Sequence, residues 1–260
     1  MSEIETPILI LLNDTNLIKE KIKKLISSSG YKTAEAETVI IHDEYHDTQS
    51  NVLKKNKANL RIRSTNNKDI KITLKQEKEK EKNKSYFDRI EIEKSWSYPF
   101  YEELLNNMES ISNQFHDSRN KYDDDPKQTF NSLGLNIILK KDTKRSIINA
   151  ANVTTSQIEF EFAFDYVSIF VKPKNWISFL ELEIESKNKG NQIKINQFVN
   201  DIVKDENFRQ WSHNKLETGL AAKRLYEKDE LEIIKHYDKK YVLTRKGLEK
   251  IESYLNNADF

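Results

Sequence analysis

Three pairs of glutamates and a set of basic residues carry whatever reactivity this sequence has. Glu3 and Glu5, Glu91 and Glu93, and Glu181 and Glu183 each take the form Glu-x-Glu within a stretch that alternates aliphatic and charged residues. That alternation has the two-residue period of a β-strand, so each pair presents both carboxylates on one side. Crowded together, these acids would repel one another; as hard oxygen donors they suit Mg²⁺ or Mn²⁺. Arg61, Arg63, Lys75, Arg89, Arg145 and Lys215 supply the opposite charge. Cations that grip phosphate oxygens, beside carboxylates that grip a metal, are the equipment for holding and cleaving a polyphosphate. One Glu-x-Glu on a strand is ordinary solvated surface, but three pairs alongside Arg61-Ile62-Arg63 call for a ligand. The five histidines (His42, His46, His116, His213 and His236) show no pairing and read as surface or loop.

These side chains need strands to aim them. Residues 59–93 contain Leu60-Arg61-Ile62-Arg63, Ile70-Lys71-Ile72-Thr73-Leu74-Lys75 and Arg89-Ile90-Glu91-Ile92-Glu93, each alternating strictly. Residues 158–165 and 179–185 repeat the pattern with acids on one face, and 39–47 and 135–140 read as further strands. The apolar faces must be covered, and amphipathic helices are available at 17–26, 99–108, 191–203 and 216–226. A closed antiparallel barrel with a charged interior and helices outside satisfies both faces and leaves few exposed edges.

At the start, Glu3-Ile4-Glu5-Thr6-Pro7-Ile8-Leu9-Ile10 reads as a strand with Glu3, Glu5 and Pro7 on one face. Proline lacks a ladder donor, which places an edge or bulge there. Asn13-Asp14-Thr15 offers N-cap chemistry for the first helix, and Gly30 closes it. Residues 76–85, a Lys/Glu run, read as a solvated hairpin loop. Residues 113–136 are rich in Asn and Asp and read as an insertion with one short helix and scope for motion. The chain closes with Tyr241-Val242-Leu243-Thr244-Arg245-Lys246-Gly247-Leu248, a strand-then-helix phrase common at the wing of winged-helix domains. Too few residues surround it for a whole DNA-binding domain, so it reads as an appendage on the main body.

Bulk composition narrows the partners. Lys+Arg 43 against Asp+Glu 42 leaves a net charge of +1, so no global field gathers nucleic acid or anionic membrane. The absence of cysteine excludes zinc-thiolate sites, disulfides and thiol nucleophiles. The apolar run from Ile8 to Leu12 is too short for a signal segment or a membrane span, and a cytoplasmic location is expected.

Taken in order, the pieces resemble the CYTH, or triphosphate tunnel metalloenzyme, family across residues 1–225. They are Glu3-Ile4-Glu5; Tyr45-His46-Asp47-Thr48 and Leu53; Leu60-Arg61-Ile62-Arg63; Thr73-Leu74-Lys75; Arg89-Ile90-Glu91-Ile92-Glu93; Lys144-Arg145; Asp165-Tyr166-Val167; and Leu180-Glu181-Leu182-Glu183. The resemblance implies an α+β fold: an eight-stranded antiparallel β-barrel forming a triphosphate tunnel, with helices packed outside. Residues 226–260 then form a strand-helix appendage, and the insertion falls near 113–136. Arg61, Arg63, Lys75, Arg89, Arg145 and Lys215 would hold the triphosphate, with Lys75, Arg89 and Glu91 catalytic. Glu3, Glu5, Glu91, Glu93, Glu181 and Glu183 would hold Mg or Mn and orient the attacking water.

The activity so implied is a metal-dependent phosphohydrolase acting on tripolyphosphate or on a nucleoside or thiamine triphosphate. Two alternatives share the scaffold: an adenylate cyclase of class IV type, and a non-catalytic module that binds polyphosphate or nucleotide. In the second, the tail would pass occupancy on to a protein partner. Neither membrane nor nucleic acid is expected as a partner. One departure is plain: the family opens Glu-x-Glu-x-Lys, and Pro7 stands at the lysine position, removing a base that would contact phosphate.

Overall fold

The alternating stretches become antiparallel ladders in a computed structural model, which describes residues 5–12, 14–77, 89–116, 118–173, 175–188, 191–238 and 241–257. The chain divides into two units, residues 41–141 and residues 3–40 with 142–259. It opens with strand β1 (Glu5–Ile10), helix α1 (Thr15–Ser28) and strand β2 (Tyr31–Glu35). Asp14 starts α1 by accepting the Leu17 N–H at 3.1 Å, and Ile18, Ile22 and Ile26 form its buried stripe. Gly30, at φ 87°, turns the chain out of the helix where a side chain would be strained.

The first unit is built from β3 (Val39–Thr48), α2 (Val52–Lys55), β4 (Ala58–Thr65), β5 (Asp69–Glu77) and β6 (Arg89–Ser95), followed by α3 (Tyr98–Ile111) and α4 (Pro126–Ser132). Strands β3, β4, β5 and β6 pair in that order, all antiparallel. Their aliphatic face, with Leu60, Ile62, Ile72 and Leu74, packs on Phe100, Leu104, Leu105 and Met108 of α3. The buried Asp47 carboxylate accepts the backbone N–H groups of Thr48, Leu53 and Lys54 at 2.7–3.0 Å, which pins the turn from β3 into α2.

Strand β7 (Leu135–Asn152) begins in the first unit and ends in the second, continuing well past the residue 140 limit that the sequence suggests. The second unit continues with β8 (Ile158–Lys172), β9 (Asn175–Ser186), α5 (Gln192–Ile202), β10 (Phe208–Gln210), α6 (Lys215–Glu227), α7 (Ile233–His236) and α8 (Arg245–Asn257). Its ladder runs β10, β1, β9, β8, β7, with β2 also on β7. Phe160, Phe162 and Phe164 alternate with Leu180, Leu182 and Ile184 to form a core closed by α1 and by Ile195, Phe198, Val199 and Ile202 of α5.

The expected antiparallel α+β architecture with helices outside is present, with differences in detail. Ten strands are described rather than eight, because β2 and β10 are short and mostly polar. Neither unit's described ladder closes on itself. Strand β1 is not an edge: it lies between β9 and β10. The Pro7 carbonyl accepts the Trp211 N–H at 3.1 Å. The Pro7 nitrogen points to that same side, beyond the end of the three-residue β10 ladder, so the missing N–H costs no bond to β9. Residues 113–136 hold Phe115, Thr129, Phe130 and Leu133 in the core, so this segment is a packed part of the first unit. His46 and His236 are buried rather than at the surface. Of the hairpin loop expected at 76–85, residues 76 and 77 extend β5 and the remainder lies outside the described residues. No described helix is long and apolar enough to cross a membrane.

The tail belongs to the second unit. Ser178 in β9 bonds through its backbone to Tyr241 and Leu243 at 3.1 and 2.7 Å, and the Arg245 guanidinium donates to the Glu206 carbonyl at 2.7 Å. Gly247 lets α8 approach α7: a Cβ there would lie 2.5 Å from the His236 carbonyl oxygen and 2.9 Å from Leu243. Gly247→Ala should therefore lower stability by about 1–3 kcal/mol despite the better helix propensity of alanine. A thermal melt at or above the wild-type midpoint would refute this close packing.

Candidate active site

The charged face of the first unit is a set of rows set by strand register. Tyr45, Arg61, Thr73 and Glu93 lie abreast on β3, β4, β5 and β6; Asp43, Arg63, Lys71 and Ser95 form the next row; Asn59, Lys75 and Glu91 share a third. Within the first row Arg61 Nε donates to Thr73 Oγ1 at 3.2 Å, and Thr73 donates to Glu93 at 2.7 Å. Arg61 also lies 3.4 Å from Glu93. In the second, Arg63 makes a two-pronged pair with Asp43 at 2.7 and 3.0 Å, and Asp43 also meets Lys141 of β7 at 2.9 Å. In the third, Lys75 lies 2.9 Å from Glu91.

Burial alone would lower the pKa of Arg61, but Asp43 and Tyr45 outweigh it and hold the guanidinium above its ordinary value. Burial would raise the Glu93 carboxyl, yet the Thr73 hydrogen bond and the nearby Arg61, Arg63 and Lys71 keep it low. This face is therefore a preorganised array of cations, each steadied by an oxygen partner, which is what anionic phosphate oxygens require.

The second unit carries a denser cluster. On β9, Glu181 stands opposite Asp165 of β8 and Leu9 of β1, and Glu183 stands opposite Ala163 and Pro7. Arg145 on β7 forks onto Asp165 at 2.8 and 2.6 Å and meets Glu183 at 2.5 Å. Lys215 lies 3.1 Å from Asp165 and 2.6 Å from Glu181, and also touches Glu183. Lys215 is the first residue of α6, and a capping box between Asn214 and Glu217 fixes where that helix starts. A cation at a helix N-terminus is disfavoured by the helix dipole, so its place depends on the three carboxylates around it.

The structure thus brings Arg61, Arg63, Lys75, Glu91 and Glu93 onto one ladder face, and Arg145, Lys215, Glu181 and Glu183 into one cluster. Glu3 lies outside the described residues, as do the side chains of Glu5 and Arg89. As hard oxygen donors the acids suit a divalent ion in kind. They do not form an assembled cage: no group of three or more His, Cys, Asp or Glu among the described residues is placed to hold a metal. Asp165, Glu181 and Glu183 converge instead on the Lys215 ammonium.

Two partners escaped the sequence reading, and a third, Asp165, was named there without a role. Asp43 and Lys141 sit inside strands whose alternation is irregular, so nothing marked them. Asp165 closes the alternating 158–165 face, but nothing local to it announces that Arg145 and Lys215 reach it.

The fold is an antiparallel α+β architecture whose strand faces carry cation arrays and acid pairs. Residues 4–205 match the CYTH domain, and the chain belongs to that family. No curated protein matches it. Among solved structures it is similar to HpAC1 from Hippeastrum, a candidate adenylyl cyclase with a dominant triphosphatase activity, at 14% identity over 91% of this chain and 100% of that one, TM-score 0.48. It is also similar to a candidate adenylate cyclase from Bacillus halodurans, at 17% identity over 83% and 95% of the two chains, TM-score 0.45. A third is the Pct1 RNA triphosphatase of S. pombe, at 12% identity over 81% and 85%, TM-score 0.37.

Glu181 gives the cluster a pH signature. Burial is the largest influence and pushes its carboxyl up to about 7; Lys215 opposes the rise and Glu183 adds to it. The folded chain therefore keeps a proton that the unfolded chain loses near the ordinary value of 4.5. Stability from this group is fully present below that value and is lost as pH rises through about 7, by up to about 3 kcal/mol. Thermal melts from about pH 5 to 8 should show the wild type losing ground to Glu181→Gln. Parallel curves for the two proteins would rule out the raised carboxyl.

Proposed function

We propose that this CYTH protein is a phosphohydrolase acting on a triphosphate such as tripolyphosphate or a nucleoside or thiamine triphosphate. The observation that carries the reading is the cation array on the β3–β6 ladder, where Arg61, Arg63 and Lys75 share one face and each is already steadied by an oxygen partner. These side chains, with Arg89, Arg145 and Lys215, would contact phosphate oxygens and stabilise charge as a phosphoryl group leaves. Mg²⁺ or Mn²⁺, held by Glu91, Glu93, Glu181 and Glu183 with Glu3 and Glu5, would supply charge neutralisation and a more acidic water. The test is phosphate release from tripolyphosphate, ATP and thiamine triphosphate, each with Mg²⁺ or Mn²⁺. No release from any of them would defeat the proposal.

Roles separate by substitution. Lys75→Ala should weaken triphosphate binding by removing one charge-assisted contact, costing about 1.5–3 kcal/mol. The double variant Glu91→Gln/Glu183→Gln should still bind tripolyphosphate in calorimetry and lose metal-dependent turnover. Wild-type turnover in that variant would show that these glutamates do not hold the metal.

Pro7 favours a second reading, in which the chain binds a triphosphate without cleaving it. Against this, Pro7 lies abreast of Glu183, and Glu183 already has Arg145 and Lys215 beside it, so cations stand next to the row that lacks its lysine. Turnover should accordingly be measurable in the wild type, and Pro7→Lys should change kcat by less than about tenfold. Losing one donor to the reacting group without compensation costs about a hundredfold or more. An inactive wild type that gains turnover on Pro7→Lys would show that no such compensation exists.

A further inference from the structure

We propose that Asp43, backed by Lys141, is a positioning residue that aims the Arg63 guanidinium at the triphosphate; the inference rests on the triphosphate reading above. Asp43 lies on β3 directly opposite Arg63 on β4. Its Oδ1 takes Arg63 Nε at 2.7 Å and its Oδ2 takes Arg63 Nη2 at 3.0 Å, a fork-to-fork pair that fixes the plane of the guanidinium as well as its position. Behind it, Lys141 Nζ meets Oδ2 at 2.9 Å, and the ammonium lies 5.7 Å from the centre of the Tyr45 ring.

The degree of burial separates the three roles. The Asp43 side chain is 0% exposed and that of Lys141 1%, whereas that of Arg63 is 20% exposed. Asp43 and Lys141 are therefore out of reach of a ligand, and Arg63 is the member of the trio that solvent reaches. The pair with Asp43 engages Arg63 through Nε and Nη2, which leaves Nη1 on the other side of the guanidinium to donate. Burial would push the Asp43 carboxyl up, but Lys141 and Arg63 keep it well below the ordinary carboxylate range, so the clamp stays ionised. Arg61, in the adjacent row, adds to the same effect.

A simple counter-charge role predicts the opposite result from a positioning role. If Asp43 only offset positive charge, removing its charge would strengthen the cationic field and tighten the binding of a polyanion. If it aims Arg63, removal weakens binding although the net charge becomes more favourable.

The experiment is calorimetric titration of tripolyphosphate, with and without Mg²⁺, into wild type, Asp43→Asn, Arg63→Ala and the double variant. Asp43→Asn should weaken binding about tenfold or more, the usual loss when the residue orienting a ligand-contacting group is removed. In the Arg63→Ala background it should cause no further loss, because nothing remains to be aimed. Should Asp43→Asn fail to fold by circular dichroism, Lys141→Met and Asp43→Asn/Lys141→Met make the same comparison without a stranded buried ammonium. Binding by Asp43→Asn as tight as wild type or tighter, or equal weakening with and without Arg63, overturns the inference alone. A wild type that binds none of tripolyphosphate, ATP and thiamine triphosphate in either condition overturns the triphosphate reading and this inference with it.

Discussion

Ion pairing between neighbouring strands is the constraint on which the rest of this structure depends. A strand that alternates aliphatic and charged residues solves one packing problem and creates another: the aliphatic side finds helices, and the opposite side gathers charge away from water. An unpaired charge in that setting is costly, and removing one partner of a buried pair is strongly destabilising. The register of the ladders resolves the problem by setting opposite charges abreast, as with Asp43 and Arg63 or Lys75 and Glu91. Where acids face acids, as Asp165 faces Glu181, a long basic side chain from another element reaches in. Arg145 and Lys215 do this in the second unit, while in the first Lys141 joins Arg63 on the buried Asp43 carboxylate.

Such an arrangement holds more charge than stability needs. Replacing buried ion pairs with apolar residues is often neutral or stabilising, so stability alone does not account for a network of this density. Preorganised cations that already have oxygen partners lose little freedom when phosphate oxygens join them, and this is the electrostatic economy on which phosphoryl transfer depends.

Much of this was legible in the sequence because strand alternation is a local signal. Residues 59–93 and 179–185 announce both their strands and the face on which their charges lie, and the four long amphipathic helices appear where their apolar spacing puts them. What stayed hidden depends on tertiary placement. The β2 strand is short and polar, and β10 has three residues, too few for any period to show. Lys141 reads as one more lysine in a Lys-Lys pair until β7 carries it beside Asp43. Residues 113–136 have a loop-like composition, but a few well-spaced aromatics are enough to anchor them. Pro7 suggested a sheet edge or a bulge, since a proline's missing donor is usually hidden in one of those ways; a ladder that stops one residue short hides it equally well.

The start of α6 carries one more implication, for the tolerance of this chain to insertion and deletion. Trp211 is tied at its backbone to Pro7 and through its indole to Thr218, with Nε1 donating to Oγ1 at 2.9 Å, while Lys215 lies between these two anchors. Adding or removing one residue between Trp211 and Lys215 would turn the lysine about 100° around the helix and shift it about 1.5 Å along the axis, enough to swing its ammonium off the carboxylates. The loop at 212–214 looks like ordinary surface, where a change of length usually goes unnoticed. Here its length is as tightly constrained as the identity of the residue it delivers.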